Sequence, residues 1–227
     1  MTWIGSWRSD RRSHEVASLA VTALLVAVLA AGCASVRVPS AEANRVADLM
    51  DVAPGRDVAD VGAGDGAWTE DLARRVGPDG HVYATEVEEA DLDAIRRLLQ
   101  REGITNVTSV LGDQGDTGLP DACCDAILLR LVYHHFIDPP KMRASLHRAL
   151  RPGGLLVVVD FVPKTEIPPV AGTPERGGHG VFVEEVVEEM TSGGFDLVSR
   201  HDEWQGHDDR FCLVFRAAEP GASAAGD

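Results

Sequence analysis

Short apolar, β-prone runs alternate with amphipathic stretches along most of this chain. AILLRL at residues 126–131 and LLVVV at 155–159 are typical of strands buried on both faces. Between such runs, apolar residues recur at helical spacing, as at Leu92, Ile95 and Leu99. Five strand–helix units of this kind predict an α/β fold with a Rossmann-like, doubly wound, mainly parallel sheet. The last two predicted strands, 195–204 and 211–215, are close enough to pair as a hairpin, so the last strand should be antiparallel at one edge.

The alternating pattern occupies residues 41–216 and predicts one domain there, without an internal repeat. The chain has 227 residues, which is enough for one ordinary core. Residues 1–40 differ in composition and are interpreted as a leader or anchor. The tail 217–227, which ends GASAAGD, has little to pack and is expected to be disordered.

The predicted leader contains an uncharged run of sixteen residues, Val16–Ala31, after an Arg-containing start. A membrane span needs about 20 residues and a signal-peptide core has about 7–15, so the run falls between the two. Small residues and Cys33 follow, and this order resembles a bacterial lipoprotein leader in which the cysteine is lipidated. The interpretation is therefore a membrane-associated protein held through residues 16–33. An uncleaved anchor and a cytoplasmic protein with a start codon placed too far upstream are the alternatives.

The formal net charge of −15 argues against nucleic acid as a partner, because a phosphate backbone is bound by basic patches. Apart from Cys33, the cysteines are Cys123, Cys124 and Cys212. This sparse, odd set predicts neither a disulfide framework nor a zinc knuckle, and apolar packing is its simplest interpretation.

The stretch DVGAGDG, residues 60–66, follows the first predicted strand and precedes a helix. Glycines allow a tight turn and a close approach of the backbone to a ligand, and the next helix offers free N–H groups. Read as G-x-G-x-x-A, the loop fits a dinucleotide fingerprint, with Glu86 at the end of the second strand as the ribose-binding acid.

Read instead as Asp60-x-Gly62-x-Gly64-x-Gly66, the loop resembles motif I of the class I S-adenosylmethionine-dependent methyltransferases. Three features favour this resemblance. A carboxylate at Asp60 suits a cationic ligand better than a phosphate. Asp113 follows the third strand, where that family usually has an acid, and the paired last strands match the antiparallel strand of that family. The resemblance implies S-adenosylmethionine as cofactor, with Glu86 on the ribose and Asp113 near the adenine. Asp113 as a simple turn residue and Glu86 as a solvated acid are the alternatives. The expected cofactor-binding residues are Asp60, Gly62, Ala63, Gly64, Gly66, Glu86, Val87, Gly112, Asp113 and Arg130.

Methyl transfer from a sulfonium needs mainly alignment of donor and acceptor, and a base only when the acceptor must lose a proton. In the family that this chain resembles, the fourth strand ends beside the reacting methyl group. His134 and His135 are therefore candidate bases, and Tyr133 is a candidate for orienting the acceptor. The alternative is that one histidine caps or hydrogen-bonds the loop while the other faces solvent. His134, His135 and Asp138 could in principle bind a metal ion, but no metal site is predicted. His179 is a weaker candidate for a catalytic residue.

The sequence thus predicts a methyltransferase that acts on a small-molecule or lipid-like acceptor. An NAD(P)-dependent oxidoreductase is the second hypothesis. A non-catalytic envelope lipoprotein that keeps the fold is the third. Because S-adenosylmethionine is made in the cytoplasm, an active domain should face the cytoplasm behind the anchor or follow a misplaced start codon.

Overall fold

The computed structural model of this protein describes Val38 and residues 40–218. The predicted leader, apart from Val38 and Ser40, lies outside the described residues, as do residues 219–227 of the predicted tail. None of the described helices has the length and apolar character needed to cross a bilayer.

Seven strands and five α-helices make up the described part of the domain, together with one short 3₁₀ turn. The strands are β1 (Asp57–Val61), β2 (His81–Glu86), β3 (Val107–Leu111), β4 (Cys124–Arg130), β5 (Leu150–Phe161), β6 (Phe195–His201) and β7 (Arg210–Ala217). The helices are α1 (Ser40–Leu49), α2 (Ala67–Val76), α3 (Glu89–Glu102), α4 (Pro139–Ala149) and α5 (Val183–Ser192), and the 3₁₀ turn is Tyr133–His135. A long loop, residues 162–182, joins β5 to α5.

The strand order in the sheet is β3-β2-β1-β4-β5-β7-β6. The first five strands pair in parallel, whereas β7 pairs antiparallel with both β5 and β6. The predicted fold class, a Rossmann-like doubly wound sheet with an antiparallel last strand, is therefore confirmed. One detail of the prediction is wrong, because the antiparallel strand lies between β5 and β6 and the edge is formed by β6.

The direction in which strands are added reverses between β1 and β4. Chain order runs from β1 outward to β2 and β3 on one side, and from β4 outward on the other. The carboxyl ends of β1 and β4 leave a crevice at such a switch point, which is where open α/β sheets bind their ligands. The DVGAGDG loop follows β1 and the Tyr133–His135 turn follows β4, so the topology brings both to this crevice.

The core lies on both faces of the sheet. In β4, Ile127 and Leu129 pack into one apolar cluster, while Ala126 and Leu128 pack into the cluster on the opposite face. All four residues are fully buried. Burial on both faces explains why this strand is almost continuously apolar instead of alternating.

The structure places in strands two stretches that were predicted to be a turn and part of the tail. Residues 151–154, predicted as a turn, lie within β5, where a register shift opposite Cys124 and Ala126 accommodates them as a bulge. Arg151 holds this bulge through ion pairs with Asp57 and Asp125, at 2.7 and 2.8 Å. Ala217, placed in the tail by the sequence analysis, is buried and pairs with Phe195 at the end of β7.

The cysteines of the domain are buried, as expected for apolar packing. The sulfur atoms of Cys123 and Cys124 are paired as a disulfide between neighbours, which the sequence analysis does not predict. Cys212 is free, and burial raises the pKa of its thiol well above the usual range. A buried thiol of this kind is inert and contributes to packing.

Candidate functional site

A cavity of about 550 Å³ opens at the carboxyl ends of β1, β2 and β4. It brings together nine of the ten predicted cofactor-binding residues. These are Asp60, Gly62, Ala63, Gly64, Glu86, Val87, Gly112, Asp113 and Arg130. The tenth, Gly66, does not line the cavity. Instead it precedes α2 with a φ of 80°, and a Cβ at this position would lie 3.1 Å from Leu98 of α3.

Two glycines of the loop have positive φ angles, which residues with side chains rarely adopt. Gly62 has a φ of +74°, and a Cβ there would lie 2.5 Å from Cγ2 of Val132. Gly64 has a φ of +57°, and no atom lies within 4 Å of the position that its Cβ would take. The loop therefore packs closely against the segment after β4 at Gly62 and leaves open space at Gly64.

Glu86, the last residue of β2, connects that strand to the glycine loop. Its Oε1 atom accepts a hydrogen bond from the backbone N–H of Gly64 at 2.6 Å. The carboxylate is only half-buried and borders the cavity. One of its oxygens is thus fixed by the loop, and the group keeps capacity to accept further hydrogen bonds from a ligand.

Asp60 is a buried acid at the floor of the cavity, with 2% of its surface exposed. Burial raises the pKa of Asp60 to about 6, the hydrogen bond from the Thr69 hydroxyl at 2.7 Å opposes the rise, and the carboxylate of Glu86 adds to it. A cationic ligand in the cavity would stabilise the ionised form of Asp60. Two carboxylates beside open loop backbone fit S-adenosylmethionine, which carries a sulfonium and an ammonium group and no phosphate.

Arg130, at the end of β4, borders the cavity but is already paired. Its guanidinium contacts the carboxylate of Glu42 at 3.2 Å and lies 4.9 Å from the centre of the Trp68 ring. Glu42 also accepts a hydrogen bond from Nε1 of Trp204 at 3.1 Å. Sequence reasoning missed Glu42, because it lies in α1, 88 residues before Arg130, and no local pattern connects the two.

Asp113 lies at the cavity, and its side chain also forms the turn that the sequence analysis kept as an alternative. Its Oδ1 atom accepts hydrogen bonds from the backbone N–H groups of Gly115 and Asp116, each at 2.8 Å. The residue is exposed. This turn shapes the edge of the cavity between β3 and α4.

Of the three predicted catalytic residues, only His135 lines the cavity. Burial and the neighbouring imidazole of His134 lower the pKa of His135. The ring of His134 is buried, and its Nδ1 lies 2.8 Å from Oδ1 of the fully buried Asp160. Asp160 was not predicted from the sequence, since an acid at the end of an apolar strand carries no motif.

The role suggested for Tyr133 in orienting an acceptor is not supported by its position. Tyr133 is fully buried and does not line the cavity. Its hydroxyl donates a 2.6 Å hydrogen bond to Glu189 of α5. Burial and the adjacent carboxylate raise the pKa of this hydroxyl far above its usual value. Tyr133 therefore ties the turn after β4 to α5.

The chain bends sharply between β4 and this turn. Leu131 borders the cavity and has a φ of +58°, a region that a branched side chain rarely adopts. Its N–H donates to the carbonyl of Val159 in β5 at 2.7 Å, which holds the strained bend in place. Such strain costs about 1–3 kcal/mol and is found mainly where a site requires it.

Asp138 does not lie with His134 and His135 in a group that could bind a metal ion. Its carboxylate caps α4 by accepting a hydrogen bond from the N–H of Lys141 at 3.2 Å. The residue that meets the histidines is His179, from the loop between β5 and α5. Its ring centre lies 4.7 Å from that of His134.

Comparison with known proteins agrees with this site. Residues 59–158 match the family model described as a methyltransferase domain. Nocamycin O-methyltransferase of Saccharothrix syringae is 34% identical over 136 residues, which are 60% of this chain and 49% of that protein. A ubiquinone/menaquinone biosynthesis C-methyltransferase of Vibrio campbellii is 33% identical over 115 residues, 50% of this chain and 44% of that protein. This chain therefore spans about half the length of these two curated relatives.

Among solved structures, a SAM-dependent methyltransferase from Aquifex aeolicus superimposes with a TM-score of 0.66 and 25% identity. The match covers 78% of this chain and 90% of that one. The oxidoreductase hypothesis is not supported, because the comparisons and the antiparallel β7 both agree with the methyltransferase resemblance instead. Residues 59–158 thus resemble a methyltransferase domain, the sheet has the fold of a solved SAM-dependent methyltransferase, and these likenesses support S-adenosylmethionine as the cofactor.

Proposed function

We propose that this protein transfers the methyl group of S-adenosylmethionine to a small, largely apolar acceptor. The observation that carries the proposal is the single cavity in which the glycine loop, two carboxylates and His135 meet. In this proposal Glu86 accepts hydrogen bonds from the cofactor ribose, Asp60 faces its cationic part and Asp113 lies towards the adenine. Bound in this way, the cofactor supplies a methyl group already activated by the sulfonium.

The acceptor would bind against the apolar part of the cavity lining. This part includes Phe136, Ile137 and Met142, together with Val170 and Ala171 of the loop after β5. Apolar walls exclude water and hold a hydrophobic acceptor against the donor, and this alignment is the main requirement of the reaction. The names of the two curated relatives also point to small-molecule acceptors. The net charge of −15 disfavours nucleic acid.

Calorimetric titration of S-adenosylmethionine into the full-length chain tests the cofactor part of the proposal. We expect binding of one equivalent in the micromolar range. Incubation with a panel of phenols, quinols and fatty acids, with S-adenosylhomocysteine as the measured product, then tests the transfer. Failure of the folded protein to bind the cofactor would refute the proposal. Binding without product formation from any acceptor of the panel would favour the non-catalytic alternative.

We also propose that residues 16–33 hold the protein at a membrane, with the domain on the cytoplasmic side, where the cofactor is made. The support is the uncharged run before Cys33. Protease protection of spheroplasts tests this topology. Digestion of the domain by protease added from outside would contradict it, and recovery of the intact protein in the soluble fraction would favour the cytoplasmic alternative with a misplaced start codon.

A further inference from the structure

Three imidazole rings from two separate segments meet beside the cavity. His134 and His135 follow β4, and His179 comes from the loop between β5 and α5. One ring nitrogen of each residue lies within 4.8 Å of the other two. Among the described residues, this is the only group of three or more histidine, cysteine or acidic side chains with metal-binding spacing.

The orientation of His134 is fixed by a buried carboxylate. Oδ1 of Asp160 lies 2.8 Å from Nδ1 of His134, and Oδ2 accepts a hydrogen bond from the His134 backbone N–H at 3.2 Å. Both side chains are at most 3% exposed. A carboxylate that holds one imidazole nitrogen leaves the other, Nε2, as an oriented ligand atom. This is the usual outer arrangement of histidines that bind metal ions.

The position of His179 is fixed by its backbone. It exchanges two hydrogen bonds with Lys164, at 2.8 and 3.2 Å, and a glycine lies on each side. Gly178 and Gly180 have φ values of +155° and +132°, and a Cβ at either would lie within 2.8 Å of a backbone carbonyl oxygen. Only glycine fits at these two positions. The segment therefore has a constrained backbone that places the His179 ring against His134.

We propose that His134, His135 and His179 bind a Zn²⁺ ion. Imidazole nitrogen suits Zn²⁺, whereas Mg²⁺ and Ca²⁺ prefer oxygen ligands. Tetrahedral coordination at about 2.1 Å places ligand nitrogens about 3.4 Å apart, so nitrogens that now lie within 4.8 Å of one another must approach by up to about 1.4 Å. His135 and His179 are not fully buried and have room to make this movement. Three protein ligands leave one position for water or for an acceptor oxygen, as in catalytic zinc sites.

The ion has a consequence for the reaction, which rests on the proposed methyltransferase function. Because His135 also borders the cavity, the metal site adjoins the space assigned to the acceptor. An acceptor hydroxyl that binds Zn²⁺ loses its proton to water more readily than a free hydroxyl does. The oxygen that remains would then form a bond to the methyl carbon, while the bond from this carbon to sulfur breaks, its electron pair stays on sulfur, and S-adenosylhomocysteine leaves as a neutral sulfide. Metal binding itself does not depend on this function.

The test uses the full-length, untagged chain after treatment with EDTA and removal of the chelator. Titration with Zn²⁺ is followed by calorimetry, and titration with Co²⁺ by visible absorption. We expect one ion per chain, with the intense visible bands of a four-coordinate Co²⁺ site. His179→Ala and His135→Ala should each weaken binding at least tenfold. His207→Ala, at an exposed histidine outside the group, is the matched control and should bind as the wild type does.

Gly180→Ala removes no ligand but should displace His179, so it should also weaken Zn²⁺ binding. The proposal is overturned if the folded wild-type chain binds no Zn²⁺, or if His179→Ala and His135→Ala bind it as tightly as the wild type. Titration of S-adenosylmethionine into the same samples separates this outcome from failure of the proposed function. Zn²⁺ binding without cofactor binding would refute only the proposed function, and cofactor binding without Zn²⁺ binding would refute only the metal site.

Discussion

Asp60→Asn should stabilise the free protein and weaken its binding of S-adenosylmethionine. In the wild type, the carboxylate is buried and its pKa is raised from 3.8 to about 6. Asparagine has the same shape and can still accept the hydrogen bond from Thr69, so the substitution removes mainly the buried charge. The expected effects on stability and on binding have opposite signs, which distinguishes this substitution from ordinary damage to the fold.

The size of the stabilisation follows from the raised pKa. A difference of about 2 pKa units corresponds to a penalty on the order of 3 kcal/mol for keeping Asp60 ionised in the folded state. The folded protein holds this proton more tightly than the unfolded chain does. The penalty is therefore absent below pH 3.8, grows as the pH rises to about 6, and is constant above that value. In the presence of a bound cation, the ionised carboxylate is favourable, so its loss should raise the Kd at least tenfold.

Urea unfolding followed by tryptophan fluorescence measures the stability, and calorimetry measures cofactor binding. The extra stability of Asp60→Asn should be small at pH 4 and full at pH 7. Asp65→Asn, at an exposed acid in the same loop, is the matched control and should change the free energy of unfolding by less than about 0.5 kcal/mol. A raised pKa of Asp60 is contradicted if Asp60→Asn is no more stable than the wild type at pH 7, or if its extra stability is equally large at pH 4.

Three further substitutions test other parts of the site. Glu86→Ala should raise the Kd for S-adenosylmethionine roughly tenfold to hundredfold, since hydrogen bonds to a charged group contribute about 1.5–3 kcal/mol; an unchanged Kd in calorimetry would remove Glu86 from the site. Gly62→Ala should abolish cofactor binding, because its Cβ would lie 2.5 Å from Val132, whereas Gly77→Ala, at an open position with positive φ, should bind normally. Tyr133→Phe should lower the free energy of unfolding in urea by about 1.5–3 kcal/mol and leave the Kd unchanged; weaker cofactor binding would return Tyr133 to the site.

The fold could be predicted from the sequence because each element carries a local pattern. The apolar run of β4 and the helical spacing of Leu92, Ile95 and Leu99 each identify their own element. The spacing of the last two strands did not reveal that β7 lies between β5 and β6. Two strands joined by a short turn pair in the same way whichever of them is next to β5. The bulge at residues 151–154 was missed for a similar reason, because glycine and proline indicate a turn and a bulge equally well.

The residues that line the glycine-loop side of the cavity could be predicted from the sequence, because they lie in one short motif and at the ends of the strands that follow it. The other side could not, because its contacts join distant parts of the chain. Asp160 meets His134 across two parallel strands, and Glu42 reaches Arg130 from the first helix. His179 lies in a segment with no periodic pattern, and only its flanking glycines indicate a constrained backbone. Sequence patterns describe neighbours along the chain, whereas these contacts depend on the order of strands in the sheet.

Under the proposed methyltransferase function, the buried carboxylate of Asp60 also has a consequence for turnover. After methyl transfer, the cofactor product is a neutral sulfide that retains its ammonium group but has lost the sulfonium charge. An ionised acid in a cavity of low dielectric constant attracts the charged donor more strongly than this product. The ionised carboxylate of Asp60 thus favours release of S-adenosylhomocysteine and binding of S-adenosylmethionine in its place. We expect the product to be a weaker inhibitor of the wild type than of Asp60→Asn, relative to the affinity of each for the donor.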